Sequence, residues 1–201
     1  MKRLAVLISN VGVGTNLRSI IDRVESGKIK GQVVLVVSYS EDAPGLVSSR
    51  EHHIHNKVVK KEDNLEQILK DYKVDYVCLT GWKQIIPDSL LDLFKILNVH
   101  PGLIPETKDG VVKNPDNKDA LWNKGKFTNA AIKNFLDQKA TYAGSTVHFL
   151  SHEFDFGPVL GRCFEKIIPV DTVESLYSRL KQKENQLYVD VLAKLCKEDI
   201  Q

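Results

Sequence analysis

The sequence is poor in cysteine, and its charges are nearly balanced. Three cysteines are spread widely along the 201 residues, at Cys78, Cys163 and Cys196. This number and spacing argue against a disulfide framework or a cysteine metal cluster, and reduced thiols are typical of a cytoplasmic protein. A net charge of +2 disfavours a dedicated polyanion-binding protein. Since no apolar run approaches a membrane span, we expect neither nucleic acid nor membrane as a partner.

Short apolar runs alternate with helical patterns through the first half of the chain. The predicted strands occupy residues 4–8, 32–37, 58–59, 74–79 and the run that begins at Ile96. The predicted helices lie between them, at residues 17–24, 45–51, 65–72 and 90–94. This alternation is typical of a parallel sheet with helices on both faces and right-handed crossovers. The first half is therefore predicted to be an α/β, Rossmann-like fold.

Residues 106–141 differ in character from the segments on either side. They are polar and rich in lysine, but they keep enough aliphatic and aromatic side chains to predict an ordered excursion rather than a linker. Within them, short helices are predicted at 120–122 and 130–136. We expect a single domain over residues 1–201, with a lid-like excursion at about 106–141.

Strand patterns return after the excursion. The runs at 145–150 and 159–168 predict an antiparallel hairpin, and a long helix is predicted to follow towards Lys197. Asp171 and Glu174 have the spacing of a capping box at the start of this helix. The chain is therefore predicted to end in a hairpin and a long helix added to a mostly parallel central sheet.

Asn98 and His100 stand at the end of the fifth predicted strand, directly before a proline. Strand side chains alternate between faces, so these two should project together. An amide donor beside a titratable ring could polarise a carbonyl group. Asp155 lies in a later turn, where it could orient this ring and keep it protonated or simply form the turn. The sequence leaves open whether Asp155 lies near His100.

The turn after the first predicted strand contains glycine and leads into a helix. Gly14, Thr15 and Asn16 could offer backbone N–H groups to a phosphate at the positive end of the helix dipole. Thr15 or Asn16 could equally be an N-cap that needs no ligand. The spacing matches neither a dinucleotide fingerprint nor a P-loop. On this turn alone, the two interpretations have equal weight.

The remaining polar candidates have simpler interpretations. A cluster of three histidines is expected at the surface, at His52, His53 and His55. A metal site there would need ligands from elsewhere. His148 is expected to be a core histidine or a support for a neighbouring site. Lys181 and Glu184, three residues apart on the last helix, most simply form a surface ion pair.

Taken together, these features resemble the folate-dependent formyltransferases. The resemblance is carried by five short sequences: Val-Leu-Ile-Ser at 6–9, Gly-Thr-Asn-Leu at 14–17, Asn-Val-His-Pro-Gly-Leu-Ile-Pro at 98–105, Thr-Val-His-Phe at 146–149, and Asp-Phe-Gly-Pro-Val at 155–159. The Asn-x-His-Pro and Asp set is specific to this superfamily. The glycine turn, the compact length and the final helix are similar to the glycinamide ribonucleotide transformylases within it.

The resemblance implies a reaction and its catalytic residues. A formyl group passes from 10-formyltetrahydrofolate, the co-substrate, to the amine of glycinamide ribonucleotide in de novo purine synthesis. Asn98 and a protonated His100 are implied to stabilise the oxyanion. Asp155 is implied to hold His100 charged and to help move a proton from the amine to the folate nitrogen. No metal is implied, and a monomer or weak homodimer is expected.

The resemblance also implies two sets of binding residues. The phosphoribosyl substrate is implied to bind at Gly14, Thr15, Asn16, Lys181 and Glu184. The folate is implied to lie against Lys83, Gln84, Ile85, Ile86, Asn98, Ser151, His152, Glu153, Phe154 and Asp155.

The sequence departs from the family pattern in three places. The first turn, residues 9–16, is longer than usual, the excursion at 106–141 is also longer, and Trp-Lys-Gln at 82–84 replaces a usual Phe-Met-Arg. Two alternatives stay open: a sugar-nucleotide N-formyltransferase and a non-catalytic Rossmann-type nucleotide-binding module. The phosphate turn disfavours the first. The presence of Asn98, His100 and Asp155 together disfavours the second, because binding alone needs no oxyanion donors.

Overall fold

A computed structural model describes residues 1–12 and 14–197 of the protein. The chain forms two compact units, residues 1–98 with the chain from 189 onward, and residues 99–188. The described residues contain seven strands and six helices. The fifth strand and the last helix each include residues of both units.

Five parallel strands form the sheet of the first unit. They are β1 (Lys2–Ile8), β2 (Gly31–Ser38), β3 (Asn56–Val58), β4 (Tyr76–Thr80) and β5 (Lys95–His100). Their order is β3-β2-β1-β4-β5, and each neighbouring pair is parallel. The chain adds strands on one side of β1 and then continues on the other, so a topological switch point lies between β1 and β4. In sheets of this kind, ligands bind beside the carboxyl ends of the strands at the switch point.

The apolar runs of the sequence become fully buried strands. Residues 4–7 of β1 are completely buried, which is the pattern of a parallel strand covered on both faces. The helices between the strands are α1 (Thr15–Glu25), α2 (Gly45–Glu51), α3 (Leu65–Asp71) and α4 (Asp88–Leu93).

The start of α1 differs from its prediction. The N-cap is Gly14, with φ 75°, and Thr15 and Asn16 are the first two helical residues. The prediction that Thr15 or Asn16 caps the helix is therefore wrong. The physical reason is that glycine adopts this left-handed backbone without steric cost, so the chain turns one residue earlier than a side-chain cap would place it.

The second unit has its own core. It contains α5 (Thr128–Asp137), β6 (Tyr142–Phe149), β7 (Val159–Lys166) and most of α6 (Val173–Leu195). β6 and β7 form an antiparallel pair. The side chains that form the core of this unit come from a loop, α5, β6 and α6; they are Leu103, Ile132, Phe135, Ala143, Leu176 and Leu180.

The predicted α/β fold, with a mostly parallel sheet, a terminal hairpin and a long last helix, is confirmed. Two local predictions are wrong. Residues 120–122 are not helical, because their backbone groups bond to other parts of the chain, such as Leu121 O to the N–H of Leu103. The cap of α6 is formed by Thr172 and Ser175, whose hydroxyls each accept from the other's N–H, one residue beyond the predicted pair Asp171 and Glu174.

The three cysteines are free thiols. In the described parts of the chain, no helix combines the length and the apolar character that crossing a membrane requires.

Candidate active site

The carboxyl end of β5 carries Asn98 and His100. Strand alternation gives the two side chains the same direction, and His100 is only 2% exposed. The Nδ1 atom of His100 lies 3.5 Å from Oδ1 of Asp155. The structure thus brings together two residues that are 55 positions apart in sequence. The His100–Asp155 pair combines a ring that can carry charge with a carboxylate that can hold it.

Both carboxylate oxygens of Asp155 lie next to polar groups. Asp155 has a left-handed backbone, with φ 51°, and its Oδ2 accepts the N–H of Gly125 at 2.7 Å. Burial by itself raises the pKa of this carboxyl. The hydrogen bond and charge of His100, together with the Gly125 N–H, outweigh burial and hold the pKa below its ordinary value of 3.8. Asp155 is therefore ionised at neutral pH.

A segment of the excursion completes the surroundings of the His100–Asp155 pair. We call residues 121–126 the Trp122 segment. The Trp122 carbonyl accepts from Nε2 of His100 at 2.7 Å, and the Trp122 indole N–H donates to the Asp155 carbonyl at 3.0 Å. Sequence reasoning missed this role. The available signal was a tryptophan within an otherwise polar, lysine-rich stretch.

His148, on β6, is fully buried close to the His100–Asp155 pair. Its Nδ1–H donates to the carbonyl of Phe149 at 3.0 Å. Burial, helped by the nearby charge of His100, lowers the pKa of His148 from 6.5 to about 4. At neutral pH the His148 ring is therefore uncharged.

The low pKa of His148 predicts a loss of stability in mild acid. Unfolding restores a pKa of 6.5, compared with about 4 in the folded protein, so the unfolded chain binds more protons between these two values. Stability is therefore complete above pH 6.5 and falls by about 3 kcal/mol as the pH drops to 4. Urea unfolding measured across this range checks the prediction.

The matched variant for this experiment is His148→Asn, which keeps a donor near the Phe149 carbonyl but cannot titrate. Its stability curve should be flatter than the wild-type curve by the amount just given. His55→Asn, at an exposed histidine, should leave the pH dependence unchanged. Parallel curves for the wild type and His148→Asn would show that His148 does not cause the acid sensitivity.

The helix end at Gly14 has the features of an anion site in the first unit. No side chain caps α1 in the described structure, so its first N–H groups have no side-chain acceptor there. The hydroxyl of Ser9 accepts from the N–H groups of Val11 and Gly12 at 3.1 and 2.8 Å, which fixes the turn before the helix. A Cβ on Gly14 would lie 3.1 Å from the Cα of Gly45, so the close approach of this turn to α2 depends on glycine.

Lys181 and Glu184 do form an ion pair, at 3.1 Å. The expectation of a surface pair is nevertheless wrong, because Glu184 is only 4% exposed. It also accepts the Ser145 hydroxyl at 2.5 Å. A buried carboxylate is costly unless it is paired and hydrogen-bonded, and here both conditions are met. The pair is thus a polar group built into the second unit.

The residues proposed for folate lie in two loops with different character. Residues 83–86 follow β4 in the first unit, where Ile85 is 90% exposed. Residues 151–155 form a tight turn in the second unit, in which Ser151 Oγ donates to the Phe156 carbonyl at 2.8 Å. Glu153 of this turn pairs with Lys108 and Lys124 of the excursion. The described residues contain no group of three or more histidine, cysteine or carboxylate side chains placed to hold a metal ion.

A Rossmann-like sheet, with Asn98 and His100 at the end of β5 and Asp155 3.5 Å from His100, suits an enzyme that acts on a carbonyl group. Comparison with known proteins gives the particular family. The chain belongs to the formyl transferase family, which it matches over residues 2–192.

Several similar proteins carry the same name. The chain is 33% identical to the chloroplastic phosphoribosylglycinamide formyltransferase of Arabidopsis thaliana, over 99% of this chain and 67% of that protein. It is 30% identical to the phosphoribosylglycinamide formyltransferase of Haemophilus influenzae, over 94% of this chain and 84% of that protein. The solved phosphoribosylglycinamide formyltransferase of Bacillus halodurans superposes with a TM-score of 0.81 at 25% identity, covering 98% of this chain and 96% of that one.

Proposed function

We propose that this chain transfers the formyl group of 10-formyltetrahydrofolate to the amine of glycinamide ribonucleotide, a step of purine biosynthesis. The observation that carries the proposal is the 3.5 Å approach of His100 to Asp155 at the end of the strand that also bears Asn98. The names of the similar proteins support the same acceptor.

The chemistry follows from the charge that develops on the formyl oxygen. The substrate amine attacks the formyl carbon, and the Asn98 amide and the His100 ring donate hydrogen bonds to the resulting oxyanion. Donors of this kind contribute about 10²- to 10³-fold to a rate. The intermediate collapses when the bond from carbon to the folate nitrogen breaks. The proton lost by the amine passes to that nitrogen, and Asp155 assists this transfer through water.

Separate elements are proposed to bind the two substrates. The phosphate of the acceptor binds the N–H groups of Gly14, Thr15 and Asn16 at the uncapped end of α1, where the helix dipole is positive. Lys181 and Glu184 contact the same acceptor. The folate binds along residues 83–86 and 151–155. The main support for the phosphate site is the absence of a side-chain cap at this helix end in the described structure.

Thr15→Asp gives a prediction that separates phosphate binding from folding. An added carboxylate in the first turn stabilises a helix, but it also repels a phosphate and competes for the same N–H groups. We expect the KM for glycinamide ribonucleotide to rise by roughly 10-fold or more, since each 1.4 kcal/mol lost changes binding tenfold. The KM for the folate and the thermal stability should stay at their wild-type values. Steady-state kinetics with each substrate varied in turn checks this.

The control is Asn64→Asp, which adds the same charge at the N-cap of α3 and should leave both KM values unchanged. An equal rise of both KM values in Thr15→Asp would count against the phosphate assignment.

The acceptor itself is tested by offering glycinamide ribonucleotide and amino-sugar nucleotides with 10-formyltetrahydrofolate. The proposal requires transfer to glycinamide ribonucleotide in strong preference. Preferred transfer to the amino sugar would replace it with the sugar-nucleotide alternative, and ligand binding without any transfer would indicate a binding module.

Five further properties of the protein stay predictions. They are the single formyltransferase domain over residues 1–201, the cytoplasmic location, the lid-like role of residues 106–141, the monomeric or weakly dimeric state and the lack of a metal requirement. None of them is needed for the reaction described above.

A further inference from the structure

The two ring nitrogens of His100 make contacts of very different length. Nε2 makes a short contact of 2.7 Å with the carbonyl of Trp122, while Nδ1 lies 3.5 Å from the carboxylate of Asp155. A backbone carbonyl can only accept a hydrogen bond, so Nε2 must carry a hydrogen. Since this contact is short and the ring is buried, the hydrogen on Nε2 is retained whether His100 is neutral or cationic.

We propose that the Trp122 segment is a positioning element, which fixes neutral His100 as the Nε2–H tautomer and so leaves Nδ1 as the working nitrogen. The Nδ1–H of the cationic ring then faces both Asp155 and the formyl oxygen, and Nδ1 is the nitrogen that donates to the oxyanion. The hydrogen bond made by one ring nitrogen commonly sets the state of the other. The catalytic part of this inference rests on the proposed function, but the tautomer does not.

Besides the His100 contact, four hydrogen bonds hold the segment in place, and two of them go to Asp155. The Trp122 indole donates to the Asp155 carbonyl at 3.0 Å, and the Gly125 N–H donates to the Asp155 carboxylate at 2.7 Å. The Asn123 amide donates to the carbonyls of Pro101 and Ala131 at 3.0 and 3.3 Å. One short stretch of chain thus sets the ring and the carboxylate relative to each other.

Gly102 makes the contact between His100 and Trp122 possible. A Cβ at this position would lie only 1.8 Å from the Trp122 carbonyl oxygen and 2.9 Å from Nε2 of His100. Any other residue at 102 must therefore displace the carbonyl from the ring. A substitution at Gly102 can therefore move the Trp122 carbonyl away from His100. A substitution of Trp122 changes only its side chain and keeps this carbonyl.

The first measurement is ¹⁵N NMR of histidine side chains in the full-length protein without substrate, with His100→Gln used to assign the His100 signals. Neutral His100 should show its hydrogen on Nε2. A hydrogen on Nδ1 in the neutral wild-type ring would overturn the proposal. This outcome does not depend on whether the protein transfers formyl groups, so it is distinct from a failure of the proposed function.

The second measurement compares variants around the contact. In Gly102→Ala we expect a mixture of tautomers, with kcat lowered by about 10- to 100-fold, as for other groups that orient a functional histidine. Both KM values should stay close to those of the wild type. A folded Gly102→Ala protein with wild-type kcat and the wild-type tautomer would overturn the proposal.

Two further variants keep the test decisive. Asn123→Ala loosens the segment without placing an atom at residue 102, and it carries the same expectation if Gly102→Ala does not fold. Lys113→Ala removes an exposed ion pair with Asp119 elsewhere in the excursion and should leave kcat and the tautomer unchanged. Equal losses of kcat in Asn123→Ala and Lys113→Ala would show a general effect of the excursion and contradict a role for the Trp122 segment.

Discussion

Replacing His100 by alanine is expected to lower kcat for formyl transfer by about 10³-fold. In the proposed mechanism the change removes a donor to the developing oxyanion, and such a donor alone is worth about 10²- to 10³-fold. KM for either substrate should change much less, because the ring contributes mainly in the transition state. Steady-state kinetics, with the folded state checked by circular dichroism, measures both effects.

The burial of His100 requires a control for stability. The ring is only 2% exposed, and its loss leaves the Trp122 carbonyl without this donor, which costs about 1–3 kcal/mol. A lower unfolding temperature is therefore expected, and assays should be run well below it. His55→Ala, at an exposed histidine, should retain full activity. Near-wild-type kcat in folded His100→Ala would remove His100 from the mechanism.

Asp155→Asn is expected to lower kcat by about 10²- to 10⁴-fold, the usual contribution of a positioned acid or base. The amide keeps the size of the side chain but has no charge to hold a cationic ring. The pH dependence should change as well. The pKa of Asp155 lies below 3.8, so the wild-type carboxylate stays ionised through mild acid. The Asp155 carboxylate therefore contributes to stability and activity above pH 3.8. This contribution is lost only as the pH falls through the lowered pKa of Asp155.

The pH–rate profile separates a chemical role of Asp155 from a purely structural one. If the carboxylate only shapes the turn, Asp155→Asn should lower the rate by the same factor at every pH. A changed profile is the expected result. Asp119→Asn, which alters an exposed carboxylate of the excursion, is the matched control and should leave both rate and profile unchanged.

The fold could be predicted because its signals are local. An apolar run such as residues 4–7 is stable only when it is completely buried. The helical patterns between such runs allow only a few topologies. The errors also have local causes. Residues 120–122 have the composition of a short helix, yet tertiary hydrogen bonds to Leu103 and His100 hold their backbone in another conformation.

The site could be predicted only in parts. The placement of Asn98 and His100 together on one strand could be predicted, because side chains two residues apart on a strand point to the same face. The approach of Asp155 to His100 depends on how β5 and a turn 55 residues later meet in space, which no local pattern encodes. The burial of Glu184 beside Ser145 also depends on tertiary packing. The three-residue spacing of Lys181 and Glu184 does not show which residues cover their face of the helix.

In the proposed function, this chain moves a formyl group to an amine by means of the His100–Asp155 pair. The most direct test mixes the enzyme with 10-formyltetrahydrofolate labelled in the formyl carbon and with glycinamide ribonucleotide, and follows the label over time. The wild type should pass one label to the amine for each tetrahydrofolate released, while His100→Ala and Asp155→Asn should do so far more slowly. Release of label as free formate, or equal transfer by all three proteins, would contradict the account.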